Sequence, residues 1–303
     1  MSAVLTQPGQ ATTWFDPDPE AFGDKFNRVP FTFTHRLAGH PLFEPERLLR
    51  LAKELARNPQ DVYYDAGDVR VDQRWDEVGS DLPIDVLMHQ IETAGAWIVL
   101  SRAEKDPEYN ALLRECLAEV AQRSGLDLNK LMKLQNAIVF MNSPNQISSY
   151  HIDRECNCLL QLRGTKAVSV FDRADRAVLP EEEIERFWAG DRQAPTYKPQ
   201  YQDRATVYEL KPGDGLHIPV NSPHWVQNGP DVSISVSMNF HYRDEILGDV
   251  YRMNHWLRRV GLKPNPPRTS ALGDNVKRAM WRPIAFAKRA RNRLTGRPES
   301  IYN

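Results

Sequence analysis

Cysteine is scarce in this chain of 303 residues, which contains only Cys116, Cys156 and Cys158. Three cysteines do not make the disulfide framework of a small secreted domain, so we interpret them as packing residues. Long apolar runs are also missing, since none exceeds five or six residues. A bilayer-spanning helix needs about 20 predominantly apolar residues, and the sequence therefore predicts no membrane span.

A secretory leader is missing too, because no basic segment followed by an apolar one opens the chain. We therefore expect a cytoplasmic protein. Hydrophobic residues make up 41% and charged residues 26% of the chain, as in ordinary globular proteins. A chain of 303 residues has room for two domains, but β-barrels often form single domains of similar size. We expect one barrel with helical additions.

The net charge is only −1, but it is unevenly distributed. The segment from Lys277 to Arg297 contains eight basic residues and no acidic one, so the rest of the chain is clearly acidic. Such a segment can serve nucleic acid, an anionic membrane surface or an acidic partner. A solvated C-terminal helix or tail is the simplest interpretation.

Up to residue 134 the sequence predicts a mostly helical region. Apolar residues recur at helical spacing over residues 44–57, 83–92 and 109–123, and a short strand is predicted over residues 96–101. Residues 1–30 are rich in Pro, Asp, Gln and Thr and are predicted to be irregular. We expect residues 1–134 to pack on a barrel that later residues form.

Residues 135–245 have the character of an antiparallel barrel, because Gly and Pro separate short β-branched or apolar runs. The predicted strands are residues 136–141, 157–162, 167–171, 207–210, 215–218 and 232–240. A charged insertion at residues 172–206, with a short helix, is predicted to cover the barrel mouth. Residues 246–303 are predicted to form C-terminal helices and a basic tail.

Three residues of the predicted barrel are of the types, and in the spacing, that bind a metal ion. His151 and Asp153 are two apart and point the same way at a strand end, and His224 ends the later segment 213–224. Two imidazoles and one carboxylate with open coordination positions form the facial triad of non-haem Fe(II) oxygenases. His217 lies on the strand leading to His224 and is predicted to be structural rather than a ligand.

Lys166 follows His151 by 15 residues, after a turn at Gly164. Two antiparallel strands joined at that turn would place the lysine deep in the barrel, facing the metal. A buried ammonium group needs an anionic partner. A dicarboxylate such as 2-oxoglutarate would supply one, with its keto-acid end on the metal. A surface position is the ordinary alternative for a lysine, and the triad favours the buried one.

The pattern HxDx3Nx3Qx2GxK over residues 151–166 resembles the Jumonji-C-type 2-oxoglutarate oxygenases. The pattern PGDxLxIPx4H over residues 212–224 extends the resemblance, which covers residues 135–245 and is closest to the asparaginyl hydroxylase called factor inhibiting HIF. It implies a mainly β fold with α additions, a double-stranded β-helix (jelly-roll, cupin-type) barrel flanked by N- and C-terminal helices. It also implies that His151, Asp153 and His224 ligate Fe(II).

The same resemblance implies four contacts to the co-substrate 2-oxoglutarate. Lys166 and Ser148 would hold its distal carboxylate, although the family often has Thr at the position of Ser148. Asn157 and Asn239 would line the pocket near its metal-binding end, with turn capping as the ordinary alternative. The family's tyrosine that contacts the co-substrate has no evident counterpart.

The expected function is that of an Fe(II)/2-oxoglutarate-dependent dioxygenase, which uses O2 to hydroxylate an unactivated C–H bond and releases succinate and CO2. The substrate would be a protein or peptide side chain, or an amino-acid-like small molecule. One alternative is a cupin-type metal-binding protein without oxygenase activity, such as an isomerase or a sensor. Another is a DNA-associated regulator that uses the basic tail, although no reader module is visible. The apolar face of the helix at residues 246–257 suits either a homodimer or packing within one chain.

Overall fold

The computed structural model describes residues 13–16, 19–67, 69–73, 83–127, 135–240 and 245–295. Within these residues the helices are α1 (Pro19–Lys25), α2 (Pro45–Leu55), α3 (Ile84–His89), α4 (Pro107–Ser124), α5 (Glu181–Ala189), α6 (Glu245–Arg259) and α7 (Ala271–Leu294). Short 3-10 helices lie at Pro41–Phe43, Ala103–Lys105 and Pro199–Arg204. The strands are β1 (Phe31–Thr34), β2 (Val62–Ala66), β3 (Ala96–Leu100), β4 (Gln135–Asn142), β5 (Ile147–His151), β6 (Cys156–Arg163), β7 (Lys166–Val170), β8 (Thr206–Leu210), β9 (Asp214–Ile218), β10 (His224–Asn228) and β11 (Ser233–Phe240).

The strands form two antiparallel sheets that pack face to face. The larger sheet has the order β1-β9-β6-β11-β4-β3-β2, and the smaller has the order β5-β10-β7-β8. From β4 to β11 the chain passes repeatedly from one sheet to the other, as in a jelly roll. The predicted fold class, a double-stranded β-helix with helical additions, is confirmed.

Helices cover the outer face of the larger sheet. Leu48 and Leu51 of α2 and Leu113 of α4 are buried in one cluster with Leu160 of β6 and Val236 of β11. An amphipathic helix buries its apolar stripe in this way. The three cysteines are free thiols, all buried, and belong to the same cluster, so their predicted packing role is confirmed.

The two ends of α4 show how local sequence determines where a helix begins and ends. The Asp106 carboxylate accepts hydrogen bonds from the backbone N–H groups of Glu108 and Tyr109, and Pro107 occupies the first helical position. Gly125 ends the helix in the left-handed conformation, with φ 64°.

Two features of the N-terminal region differ from the sequence-based expectation. Within the stretch predicted to be irregular, α1 forms because Phe22 packs against Phe31 and Phe33 and Phe26 stacks on His217. Phe31 and Phe33 lie on the following strand β1 and His217 on the distant strand β9, so the composition of residues 1–30 does not reveal these partners. In addition, β1, β2 and β3 are strands of the larger sheet, and of these only β3 was predicted.

The C-terminal helices pack on the insertion between β7 and β8. α6 contacts both α5 and α7, and the Tyr251 ring stacks on Trp188 at a centroid distance of 6.2 Å. Leu247, Val250 and Met253 are buried as well, so the chain itself covers the apolar face that would suit a homodimer. None of the helices in the described part of the chain has both the length and the apolar character needed to cross a bilayer.

The turn between β6 and β7 carries the chain from one sheet to the other. We expected these strands to pair with each other, but β6 pairs with β9 and β11, while β7 pairs with β8 and β10. Gly164 permits the crossing because it has φ 67° and lies against the next layer of backbone. A Cβ atom at this position would come within 2.5 Å of the Val232 carbonyl oxygen.

Replacing Gly164 by alanine should therefore destabilise the fold more than the same change at Gly125. Gly125 has a similar φ of 64°, but a Cβ atom there would meet nothing within 4 Å. We expect Gly125→Ala to lower the free energy of unfolding by about 1–2 kcal/mol through the left-handed conformation, and Gly164→Ala by about 1–3 kcal/mol more through overpacking. Urea unfolding curves measure both values. Equal losses would show that the close approach to Val232 costs nothing.

Candidate metal centre

The pairing of β5 with β10 sets two histidines opposite each other. His151, the last residue of β5, pairs with His224, the first residue of β10, and the next pair is Ser148 with Val226. Three steps along β5 thus match two along β10, which is a β-bulge. Strict alternation would turn Ser148 and His151 to opposite faces. Because of the bulge, both side chains border the cavity between the sheets.

Asp153 completes a group of three metal-binding side chains. Its Oδ2 atom lies 3.9 Å from Nε2 of His151 and 3.7 Å from Nε2 of His224. One ligand atom from each residue lies within 4.8 Å of the other two. These distances suit three ligands around one metal ion, and the set of two imidazoles and one carboxylate matches the facial triad.

Backbone carbonyl groups select the tautomer of both histidines. Nδ1 of His151 lies 2.7 Å from the Ser149 carbonyl oxygen, and Nδ1 of His224 lies 2.9 Å from the Ser222 carbonyl oxygen. Since a carbonyl oxygen only accepts, Nδ1 carries the proton in each ring. Nε2 is then the lone-pair nitrogen on the side of Asp153, as a metal ligand requires.

Burial keeps both imidazoles neutral and favours the protonated form of the carboxyl. It lowers the pKa of His151 to about 4, and burial together with the neighbouring His151 lowers the pKa of His224 to about 4. Burial raises the pKa of Asp153 to about 6, against the opposing effect of His224 and with the help of the Glu155 charge. Asp153 is therefore the ligand that protonates first as the pH falls.

All seven residues proposed from the sequence border one cavity of about 800 Å³ between the two sheets. They are Ser148, His151, Asp153, Asn157, Lys166, His224 and Asn239. Such a volume lies within the usual range for small-molecule sites, about 300–1,000 Å³.

Lys166 is buried at the wall of this cavity. It is 4% exposed, and its Nζ donates a 2.8 Å hydrogen bond to the Ser235 hydroxyl. Among the described residues, no carboxylate forms an ion pair with it. Burial lowers the pKa of Lys166 to about 7. A bound anion would supply the partner that a buried ammonium group needs.

Two asparagines extend the cavity wall on the larger sheet. Asn157 of β6 pairs with Asn239 of β11, and Oδ1 of Asn239 accepts a 2.8 Å hydrogen bond from the Ser237 hydroxyl. Oδ1 of Asn157 is buried and has no hydrogen-bond partner among the described residues. A buried polar atom in this state is costly, and a ligand with a donor group would satisfy it.

The structure adds apolar wall residues that the sequence did not indicate. Tyr63 of β2, Trp97 of β3 and Phe140 of β4 border the cavity, and the rings of Tyr63 and Trp97 meet edge to face with centroids 5.5 Å apart. Strand β2 was not predicted at all, and the order of β2, β3 and β4 in the sheet is a long-range property. The one available signal was the apolar strand at residues 96–100.

The charged insertion reaches the cavity through α5. Phe187 and residues 190–193 form part of the wall. Arg154, next to Asp153, donates a 2.7 Å hydrogen bond to the Phe187 carbonyl, and its guanidinium group lies over the rings of Phe187 and Trp188. Arginine near the last carbonyls of a helix is a favourable arrangement, so the residue after the proposed ligand anchors α5.

A second connection joins α5 to the proposed ligand Asp153. Trp188 Nε1 donates a 3.0 Å hydrogen bond to Oδ1 of Asn221, and the Asn221 N–H donates one of 3.0 Å to the Asp153 carbonyl oxygen. Asn221 has φ 60°, a left-handed conformation that asparagine tolerates well.

Other residues considered from the sequence lie outside the cavity. His217 is fully buried, and its Nε2 accepts a 2.8 Å hydrogen bond from the Asn27 N–H, so its role is structural as predicted. Tyr150 faces away from the metal site and packs on Phe171 and Tyr197. Four further aromatic residues do not border the cavity and pack in apolar clusters: Trp188, Tyr197, Tyr201 and Trp225.

A comparison with protein families agrees with this geometry. A family profile described as a cupin-like domain matches residues 88–247, just over half of the chain. The chain belongs to the cupin-like domain family. The matched span of this cupin-like protein contains β3 to β11 and all seven cavity residues named above. No curated protein sequence gives a significant match.

Solved structures with a similar fold include the ribosomal oxygenase YcfD from Escherichia coli. The structure of that enzyme with cobalt and 2-oxoglutarate is 15% identical, has a TM-score of 0.51, and covers 85% of this chain and 61% of its own. Another YcfD structure is 14% identical with a TM-score of 0.49 and covers 85% and 63%. The cupin-like chain thus spans less than two thirds of these proteins, and the likeness at this identity is one of fold.

The pKa of Asp153 leads to a test of the metal centre. A protonated carboxyl is a poor ligand, so metal affinity should be constant above about pH 6 and fall by about tenfold per pH unit below it. The fall should steepen near pH 4, where His151 and His224 also protonate. Calorimetric titration with Co(II) over this pH range measures the effect. Affinity that stays constant down to pH 5 would contradict the assignment of Asp153 as a ligand.

Proposed function

We propose that this cupin-like protein is an Fe(II)- and 2-oxoglutarate-dependent oxygenase that hydroxylates an unactivated C–H bond. The observation that carries the proposal is the buried Lys166, which forms no ion pair with any described residue and shares a cavity with His151, Asp153 and His224. A metal site alone would suit many cupin activities. A buried cation beside it favours a co-substrate that carries a carboxylate at the end away from the metal.

The donor set fits a divalent iron ion. Imidazole and carboxylate are ligands that Fe(II) accepts, and the facial triad leaves further coordination positions open. The carbonyl groups of Ser149 and Ser222 hold the protons on Nδ1 of His151 and His224. The Nε2 lone pairs are therefore oriented before any metal binds.

The rest of the cavity fits 2-oxoglutarate. Its distal carboxylate would pair with the Lys166 ammonium group and accept a hydrogen bond from the Ser148 hydroxyl. Its keto-acid end would lie near Asn157 and Asn239, on the opposite sheet. Charge-assisted hydrogen bonds of this kind are about twice as strong as neutral ones, so Lys166 would contribute most to holding the co-substrate.

When bound, Fe(II) and 2-oxoglutarate supply the oxidising chemistry, which consumes O2 and yields succinate, CO2 and a hydroxylated product. The residues of the chain would bind the metal ion and the co-substrate and orient them. Lys166 and Ser148 fix one end of the co-substrate, and the ligand side chains fix the other. Trp97, Phe140 and Phe187 form apolar walls that limit access of water.

The substrate we propose is a protein or peptide side chain, or an amino-acid-like small molecule. A cavity of about 800 Å³ has room for part of a substrate beside a small dicarboxylate. Glu155, Asp191 and Arg192 border it and offer both signs of charge for a polar substrate. The Escherichia coli protein of similar fold is called a ribosomal oxygenase, which favours a protein substrate. The resemblance of residues 135–245 to an asparaginyl hydroxylase also favours a protein side chain as the substrate.

Binding of 2-oxoglutarate gives the first test. Anaerobic titration of the Fe(II)-loaded protein should produce a saturable visible charge-transfer band. Lys166→Ala should weaken the affinity by about tenfold or more, since a hydrogen bond to a charged group contributes about 1.5–3 kcal/mol. Lys211→Ala, at an exposed lysine, is the matched control and should change nothing. Bound iron without any band would favour the non-oxygenase cupin.

The same titration has a pH signature. The ammonium form of Lys166 binds the carboxylate, and the pKa of Lys166 is about 7. Below that pH the charge is already present, and above it the group must take up a proton. Affinity should thus be constant between about pH 6, below which the metal site itself protonates, and about pH 7, and fall by up to about tenfold per unit above pH 7. The fall should vanish in Lys166→Ala, and its persistence there would assign the titration to another group.

Turnover gives the second test. Asp153→Ala should abolish succinate formation from 2-oxoglutarate, because it removes a proposed metal ligand, and circular dichroism should show that the variant stays folded. Asp203→Ala, at an exposed aspartate, should keep full turnover. Unchanged succinate formation in Asp153→Ala would exclude this carboxylate from the metal site.

A further inference from the structure

α7 exposes an apolar face that no described residue covers. The exposed large apolar residues of this helix are Leu272, Val276, Met280, Ile284, Phe286 and Leu294. Val276 is 50% and Leu294 88% exposed, so the exposed apolar residues extend to both sides of Pro283 within the helix. Trp281 and Asn292 are each 7% exposed and lie on the opposite side, the side that packs on α6. The apolar residues therefore form the outer face of the helix.

Basic residues dominate the charge of α7, whose one acidic residue, Asp274, lies in the first turn. From Asn275 to Arg297 the sequence has eight basic residues and no acidic one, and Arg282 and Arg291 are exposed. Burial and the charges of Arg252, Arg291 and Arg154 lower the pKa of Lys288. Of these three arginines, Arg291 lies on α7 and adds to the positive charge of the helix.

We propose that the outer face of α7 binds the surface of an anionic lipid bilayer. The helix would lie in the plane of the interface, with Val276, Met280, Phe286 and Leu294 among the upper acyl chains and the arginines at the phosphate groups. An amphipathic helix with a basic polar side binds membranes in this way, and anionic lipids attract each nearby Lys or Arg.

Charge favours this occupant over the others. A second copy of the chain would bring two basic helices together, and residues 275–297 offer no acidic side chain to pair with the arginines. A nucleic acid would satisfy the arginines but would leave the apolar face in water. A lipid surface is complementary to both features at once.

Sedimentation of the full chain with vesicles tests the proposal. Binding is expected to vesicles of phosphatidylcholine mixed with phosphatidylglycerol, to weaken as salt screens the charges, and to be lost on phosphatidylcholine alone. Val276→Glu should weaken binding by about tenfold or more, since it removes apolar contact and adds a repelled charge. Arg282→Gln and Arg291→Gln should each weaken it by about fivefold.

The chain offers a matched control for the apolar substitution. Val207 on β8 is 50% exposed, as is Val276, so Val207→Glu makes the same chemical change away from α7. It should leave vesicle binding unchanged, and circular dichroism with thermal unfolding should show that both variants stay folded. Equal weakening by the two variants would overturn the proposal.

Three further results would overturn it. The first is no binding to the anionic vesicles at low salt. The second is a dimer, seen by analytical ultracentrifugation, that Val276→Glu converts to a monomer while the vesicles stay unbound. The third is a salt-dependent gel shift with DNA in the absence of vesicle binding. Each of these assays is independent of metal, 2-oxoglutarate and turnover, so the outcome does not depend on the proposed enzymatic function.

Discussion

The register between β5 and β10 is the constraint on which the candidate site depends. It sets His151 directly opposite His224, and the bulge beside this pair brings Ser148 onto the same face. In a β-sheet a slip of one residue turns every side chain to the other face. A slip here would remove a histidine and the serine hydroxyl from the cavity together. The positions of both histidines and of the Ser148 hydroxyl are therefore set by one strand pairing.

The interior of the sandwich is divided between apolar packing and polar chemistry. Leu159, Val168, Leu216 and Val226 form an apolar cluster between the sheets. Along β11, by contrast, Ser235, Ser237 and Asn239 face inward. The Ser235 hydroxyl accepts a hydrogen bond from Lys166, and Ser237 and Asn239 border the cavity. All eight residues of β11 are buried. Its alternation of polar and apolar residues separates two buried environments, the helix-covered core and the cavity, rather than a core and the solvent.

Local patterns in the sequence predicted most of the fold and the centre of the site. Alternation along β11 and short apolar runs between Gly and Pro identify the barrel strands, and the spacing of His151 and Asp153 indicates a metal site without knowledge of the fold. Such local patterns do not predict contacts between residues that are far apart in the sequence. β2 is a short edge strand, and α1 depends on packing of Phe22 against β1 and of the following Phe26 against His217 on β9. The passage of β7 into the other sheet follows from one backbone conformation at Gly164. Tyr63 and Trp97 reach the cavity only because β2 and β3 extend the larger sheet.

The attachment of α5 to the metal-binding loop makes the two parts mechanically dependent on each other. Arg154 holds the end of the helix, and Trp188 holds Asn221, which in turn holds the Asp153 backbone. A molecule that enters beside Phe187 and shifts α5 must strain or release these bonds, and with them the position of the carboxylate. By thermodynamic reciprocity, a metal that fixes Asp153 must favour one placement of α5 to the same extent. If an ion binds at Asp153, its binding and the placement of α5 would therefore depend on each other through these three hydrogen bonds.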